Sequence, residues 1–96
     1  MASSKEYRDY ILEQLSDVPN VSCRPMMGEF LLYSDGVLFG GIYDDRLLIK
    51  ITPSNEKLGL PTEIPYPGGK PMYLVEEVDD KNKLAKIIKT TIKNFK

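Results

Sequence analysis

The chain has 96 residues, a formal net charge of −1, 42% apolar and 28% charged residues, with all four charged residue types spread along it. That length makes one domain, residues 1–96, and the composition is that of a folded, soluble protein rather than a disordered one. With no His, no Trp and one Cys, the chain cannot supply a His general base, a Cys/His metal cage or an internal disulfide, which excludes much common enzymology.

The opening residues MASSKEYRDY carry charges where a secretory signal needs an apolar core. No apolar run approaches the roughly 20 residues of a membrane span. No membrane association is therefore expected, and a cytoplasmic, reducing location suits the single unpaired thiol. Ser3 and Glu6 have the spacing of a capping box, and Tyr7, Ile11, Leu15 and Val18 recur at helical spacing. Together they predict a helix from Ser4 to Asp17. Pro19 and Asn20 close it, and Pro25 keeps the chain extended or turning before a strand begins.

The central stretch reads EFLLYS, Asp35-Gly36, VLFGGIY, Asp44-Asp45, RLLIKIT. Aspartate-glycine between two β-rich runs is a strong hairpin signal, because both central turn positions need positive φ; Asp44-Asp45 is a weaker form of it. Two-residue loops pair Ser34 with Val37 and Tyr43 with Arg46, giving a three-stranded meander. One face then collects Leu31, Tyr33, Leu38, Ile42, Leu47, Ile49 and Ile51. The other collects Phe30, Leu32, Val37, Phe39, Tyr43, Leu48 and Lys50. Helices cover only one face of a small sheet, so the second apolar face asks for a partner or a covering segment. In this register Gly40 lies opposite Leu31 and Ile49, and Gly41 opposite Phe30 and Leu48. Glycine in a strand interior marks a bulge, room for large neighbours, or close approach of a ligand.

Beyond Thr52, Ser54 and Gly59 bracket a short helical turn as cap and stop. Residues 61–71 hold four of the seven prolines and two of the seven glycines, an ordered loop. PMYLVEEV reads as a strand. Asp79 or Asp80 caps a final helix with Leu84, Ile87, Ile88, Ile92 and Phe95 at helical spacing. The predicted order is α, three β, a short α or loop, β, α.

Residues 81–96 contain six lysines and no acid, against seven basic and fourteen acidic residues before them. Lys83, Lys86, Lys89 and Lys93 form a basic face, read first as solvated surface and second as a patch for an acidic protein or nucleic-acid phosphates. Cys23 beside Arg24 raises the question of an activated thiolate, but with no His to act as base a small, partly buried hydrophobe is the reading. The acid pairs Asp44-Asp45, Glu76-Glu77 and Asp79-Asp80 suit turns and caps better than a metal. Gly68-Gly69-Lys70 fails the phosphate-loop pattern because Pro71 follows the lysine. Met26-Met27 reads as core packing.

The segments RPMMGEFLLYSDGVLFGGIYDDRLLIK and YPGGKPMYLVEEVDD resemble the TfoX/Sxy N-terminal domain family over nearly the whole chain. Arg24, Met27, Gly28, Asp35, Gly36, Phe39, Asp45, Leu47, Leu48 and Lys50 fall at that family's places, followed by Lys70, Met72 and Tyr73 on its closing strand. The resemblance implies an α+β, two-layer fold like that of secretion chaperones, with N- and C-terminal helices against one face of an antiparallel sheet. It also implies a relation to regulators of natural competence that act with a cyclic-AMP-dependent transcription factor. Those regulators carry a second, C-terminal helical domain; this chain, ending at Lys96, is expected to be a stand-alone domain of the N-terminal type. The family offers no catalytic residues to carry over.

The functional expectation is a non-enzymatic regulatory or protein-interaction module without a cofactor. Its partner surface, for another protein or a second copy, is the second sheet face around Phe30, Leu32, Phe39, Gly41, Leu48 and Lys50. The alternative is a nucleic-acid-binding accessory protein using the final helix. A small-molecule enzyme or sensor would need a pocket near Arg24, Tyr43 and Tyr66.

Overall fold

The computed structural model describes residues 3–93. The first helix, α1 (Lys5–Gln14), is capped one residue later than the Ser3–Glu6 spacing predicts. Ser4 is extended at φ −78°, and its Oγ accepts from the Tyr7 N–H at 3.1 Å. Ser3 is drawn elsewhere: its hydroxyl donates to Glu29 Oε1 at 2.6 Å, a charge-assisted bond stronger than a neutral cap. The helix also ends three residues before Asp17, because successive turns swing Val18 into the core ahead of Pro19.

Six strands follow: β1 (Val21–Met26), β2 (Glu29–Ser34), β3 (Val37–Ile42), β4 (Leu47–Ile49), β5 (Thr62–Glu63) and β6 (Met72–Val75). They form one sheet in the order β1-β2-β3-β4-β6-β5, every pair antiparallel. Strands β1 and β5 are additions to the predicted order. Pro25 lies inside β1, which is permitted because β1 is an edge strand and one missing N–H costs no ladder bond on its open side. The last helix, α2 (Lys81–Ile92), starts at Asp80, whose carboxylate accepts from the Asn82 and Lys83 N–H groups at 3.0 and 3.1 Å. Phe95, expected on its apolar stripe, lies outside the described residues. No helix among the described residues is long and apolar enough to cross a membrane.

Both predicted two-residue turns form. Asp35 and Gly36 have φ of +51° and +79°, with Ser34 paired to Val37. Asp44 and Asp45 have φ of +52° and +55°, and Tyr43 and Arg46 exchange backbone bonds of 2.9 and 3.0 Å. A third such turn, Met27-Gly28 at φ +50° and +86°, joins β1 to β2. It leaves Met27 97% exposed, which corrects its expected place in the core.

The predicted faces need one correction with large consequences. Strand β3 carries a one-residue bulge: Tyr33 pairs with Leu38 but Leu32 pairs with Gly40, so Phe39 is the extra residue. Because side chains alternate with period two, one extra residue exchanges the faces beyond it. Gly40 therefore faces Leu32 rather than Leu31, and Gly41 faces Leu31 rather than Phe30; their pairing to Ile49 and Leu48 is as predicted. Phe30, Leu32 and Phe39 join Ile42, Leu47, Ile49 and Val75 on the inner face. There they meet Ile11, Leu15 and Val18 from the first helix region and Leu84 and Ile88 from α2. Both helices thus cover one face of the sheet, in an α+β two-layer fold.

Between β4 and β5 a 3-10 turn (Glu56–Leu58) ends at Gly59, as predicted, but begins at Asn55 instead of Ser54. Asn55 is fully buried. Its side-chain oxygen accepts from the Thr52 N–H at 2.8 Å, and its amide donates to the Lys50 carbonyl at 2.8 Å and Thr91 Oγ1 at 2.9 Å. This one side chain ties the chain after β4 to the last turns of α2.

Candidate functional site

The outer face of the sheet divides into two halves. Over the β4–β6 half lies the proline-rich segment 64–71, with Pro65 buried and the Tyr66 ring 6.1 Å from that of Tyr43. Leu48 points away from the helices yet is fully buried, and the segment meets the same outer face at Tyr43. Over the β1–β3 half, Leu31, Tyr33 and Leu38 remain half-buried, and Arg24 is exposed. The Arg24 guanidinium sits 5.8 Å from the Tyr33 ring centroid, a cation–π contact that holds both side chains against the sheet.

The expected partner surface is therefore split by the fold. Phe30, Leu32 and Phe39 are core residues beneath the helices and present no surface, a direct result of the bulge at Phe39. Gly41 and Leu48 lie on the outer side but are buried; a Cβ on Gly41 would come within 2.8 Å of the Tyr43 ring. Of the six, Lys50 is exposed, and it lines a cleft beside the proline-rich segment.

That cleft has a volume of about 560 Å³ and is walled by Leu38, Tyr43, Ile51 and Tyr66, with Lys50 and Lys70 among its lining. Of the three residues expected around a pocket, Tyr43 and Tyr66 meet there, while Arg24 belongs to the other half of the face. Burial, more than the neighbouring Tyr66, pushes the Tyr43 hydroxyl pKa up, so this phenol stays neutral at physiological pH. On the far side of Tyr66 a second cleft is lined by Glu29, Asp44 and Arg46. Arg46 is paired with Glu63 at 2.8 Å, and Glu29 accepts from the Ser3 and Asp44 N–H groups.

The remaining candidates resolve simply. Cys23 and Arg24 are successive strand residues on opposite faces, so the guanidinium does not reach the sulfur. Burial raises the Cys23 thiol pKa against a smaller opposing effect of Arg8, which leaves no activated thiolate. Lys83 pairs with Glu77 at 2.9 Å, a bond that raises the lysine's pKa, and Lys81 pairs with Glu13 at 3.3 Å. Lys86 and Lys89 are exposed on α2, and Lys93 is exposed at its C-cap. The acid pairs serve the 44–45 turn, the Lys83 ion pair and the Asp80 cap.

The pattern of the TfoX N-terminal domain matches residues 13–95. The chain belongs to this family. It is also similar to an uncharacterized 12.7 kDa protein from the trpE 5′ region of Spirochaeta aurantia, with 31% identity over 80 residues, covering 81% of this chain and 70% of that protein. Within this TfoX N-terminal domain, the residues on which the resemblance rests are mainly architectural. Met27, Gly28, Asp35, Gly36 and Asp45 all occupy positive-φ turn positions, and Phe39 and Leu47 are core. Arg24, Lys50 and Lys70 are the exceptions, since each is exposed on or beside the outer face. Sequence reading overlooked Glu29 and Asn55, whose roles depend on partners 26 and 36 residues away.

Proposed function

We infer that this TfoX N-terminal-type domain is a non-enzymatic regulatory module of the cytoplasm that binds a protein partner through the uncovered β1–β3 half of its outer sheet face. The observation that carries this reading is the Arg24–Tyr33 pair set among half-buried Leu31 and Leu38 on a face that neither helix covers. Arginine and tyrosine over an aliphatic floor are the residue types that dominate interface energetics, and their packing on each other restricts them before a partner arrives. Family membership supports a role among regulators of competence or transcription.

Sedimentation and affinity capture test the reading. The parent should either self-associate or retain a partner, and Tyr33→Glu should abolish that association while leaving the folded signal intact. Nucleic-acid binding through α2 is the competing assignment. Two of its lysines already face acids at 2.9 and 3.3 Å, which weakens the field available to phosphates. Salt-sensitive duplex binding by the parent, lost in the Lys86→Gln, Lys89→Gln, Lys93→Gln triple variant and kept in Tyr33→Glu, would reverse the ranking.

A further inference from the structure

The open edge of β1 is, we propose, a dimer interface, where the same strand of a second copy of this chain adds antiparallel and joins two six-stranded sheets into one. Strand β1 ends the sheet on one side and runs for six residues, Val21–Met26. The opposite edge is shielded, because β5 has two residues and lies between Pro61 and Pro65. Long edges invite pairing, and short edges flanked by proline resist it. The Asp35 N–H bonds the Asn20 carbonyl at 3.1 Å, and the β1–β2 register continues from there without a shift. Bonded and non-bonded pairs alternate in an antiparallel ladder, so Ser22, Arg24 and Met26 spend their main-chain groups on β2. Those of Val21, Cys23 and Pro25 point to the open side.

The pattern of outward groups is self-complementary. With a two-fold axis at Cys23, the two Cys23 residues exchange both main-chain bonds, and each Val21 N–H donates to the Pro25 carbonyl of the other copy. Every outward donor of both strands then has an acceptor, and the N–H that Pro25 lacks is missed only by the Val21 carbonyl at the strand end. This register overlaps all of Val21–Pro25. A centre at Ser22 would run into Asn20, whose φ of +47° ends the strand, and a centre at Arg24 would set two arginines against each other. The side chains agree with the Cys23 centre. Val21 and Cys23 are half-buried against the inner cluster, so pairing continues that layer across the axis. On the outer face Arg24 comes opposite Ser22 of the other copy, without a like-charge contact. The bonds belong to the main chain of the strand edge, so this contact goes beyond the outer-face reading and does not depend on the Arg24–Tyr33 pair.

The test uses the full chain, with its single cysteine as reporter. Sedimentation over a concentration series should show a monomer–dimer equilibrium. Dibromobimane, which loses one bromide to each of two thiolates, should bridge the two Cys23 side chains, because the Cα atoms of a bonded pair stand about 5.5 Å apart. Charge at the exposed Ser22 reads the register. Ser22→Glu meets Arg24 of the other copy and should tighten the dimer about fivefold, whereas Ser22→Lys should loosen it about fivefold, each through two symmetric cross-strand pairs. Tyr33→Glu should leave this dimer and its cross-link unchanged, so association lost in that variant belongs to the outer face and association kept in it belongs to the edge. A strictly monomeric chain, a dimer loosened by both charges or indifferent to them, or a dimer lost with its cross-link in Tyr33→Glu would overturn the assignment.

Discussion

The two faces of the sheet carry similar apolar patterns but are closed in different ways. The inner face is sealed by two helices, whose side chains arrive at regular spacing and fill the space between layers with Phe39, Leu32 and Ile49 at its centre. The outer face is closed over one half by a segment without regular structure, anchored through Pro65 and the Tyr43–Tyr66 contact. Proline restricts such a segment before folding, so ordering it costs less entropy than ordering a flexible loop of equal length. A helix covers continuously, whereas a loop anchored at a few points leaves a cleft at its margin and bare sheet beyond. The inner face therefore sets stability, and the outer face is where the proposed recognition would fall.

That division predicts a graded series of responses. Phe39 is fully buried among both helices, and Phe39→Ala should cost about 3–5 kcal/mol, measured by urea unfolding. Loss of less than about 1 kcal/mol would show that the bulge does not deliver Phe39 to the core.

Gly40 marks the point where the bulge lets β3 approach β4. A Cβ there would lie 2.3 Å from the Leu48 carbonyl oxygen and 2.9 Å from Ile49 Cα, both backbone atoms that cannot rotate away. Gly40→Val should destabilise by about 3 kcal/mol, at the upper end of overpacking costs, despite valine's better strand propensity. An unchanged urea midpoint would contradict the close approach.

Leu48 tests the outer cover. It is as buried as Phe39, but it lies on the face that the helices do not cover and is not part of the inner cluster. Leu48→Ala should therefore cost about 2 kcal/mol, the low end for a buried leucine, with faster amide exchange in residues 64–71 and little change in the helices. Equal losses at Phe39 and Leu48, with exchange rising everywhere, would mean that the two faces form one cooperative core.

The hairpins at Asp35-Gly36 and Asp44-Asp45 were legible because turn chemistry is local: the residues that need positive φ are those found there. The helices were legible through spacing and caps, to within a few residues. The inner and outer assignments were not, because a single bulge in the β2–β3 pairing inverts parity, and such a register shift is set between strands and not by local residue types. The Phe39-Gly40-Gly41 run did signal an irregularity without stating its direction. Pro25 concealed β1, since its edge position could not be read locally. The cleft required knowing that residues 64–71 fold back across Tyr43, a tertiary event that composition does not encode.

The smallest expected effect on stability falls on the uncovered half of the outer face, where it discriminates best between packing and recognition. Arg24 is exposed, and the described structure gives it one ring contact, 5.8 Å from the Tyr33 centroid. Exposed cation–π contacts contribute about 0.5–1 kcal/mol, and much of the arginine's apolar stem is retained by glutamine, so Arg24→Gln should lower stability by about 0.5 kcal/mol or less. If this half of the face only solvates the sheet, association should change as little as stability does. If it docks a partner, the same substitution removes both a charge and a preset orientation at the centre of the contact, and association should weaken about tenfold. Paired urea unfolding and sedimentation on one preparation separate these outcomes. A stability loss above about 2 kcal/mol would place Arg24 in the framework of the fold instead, and the contrast between the two faces would then have to be redrawn.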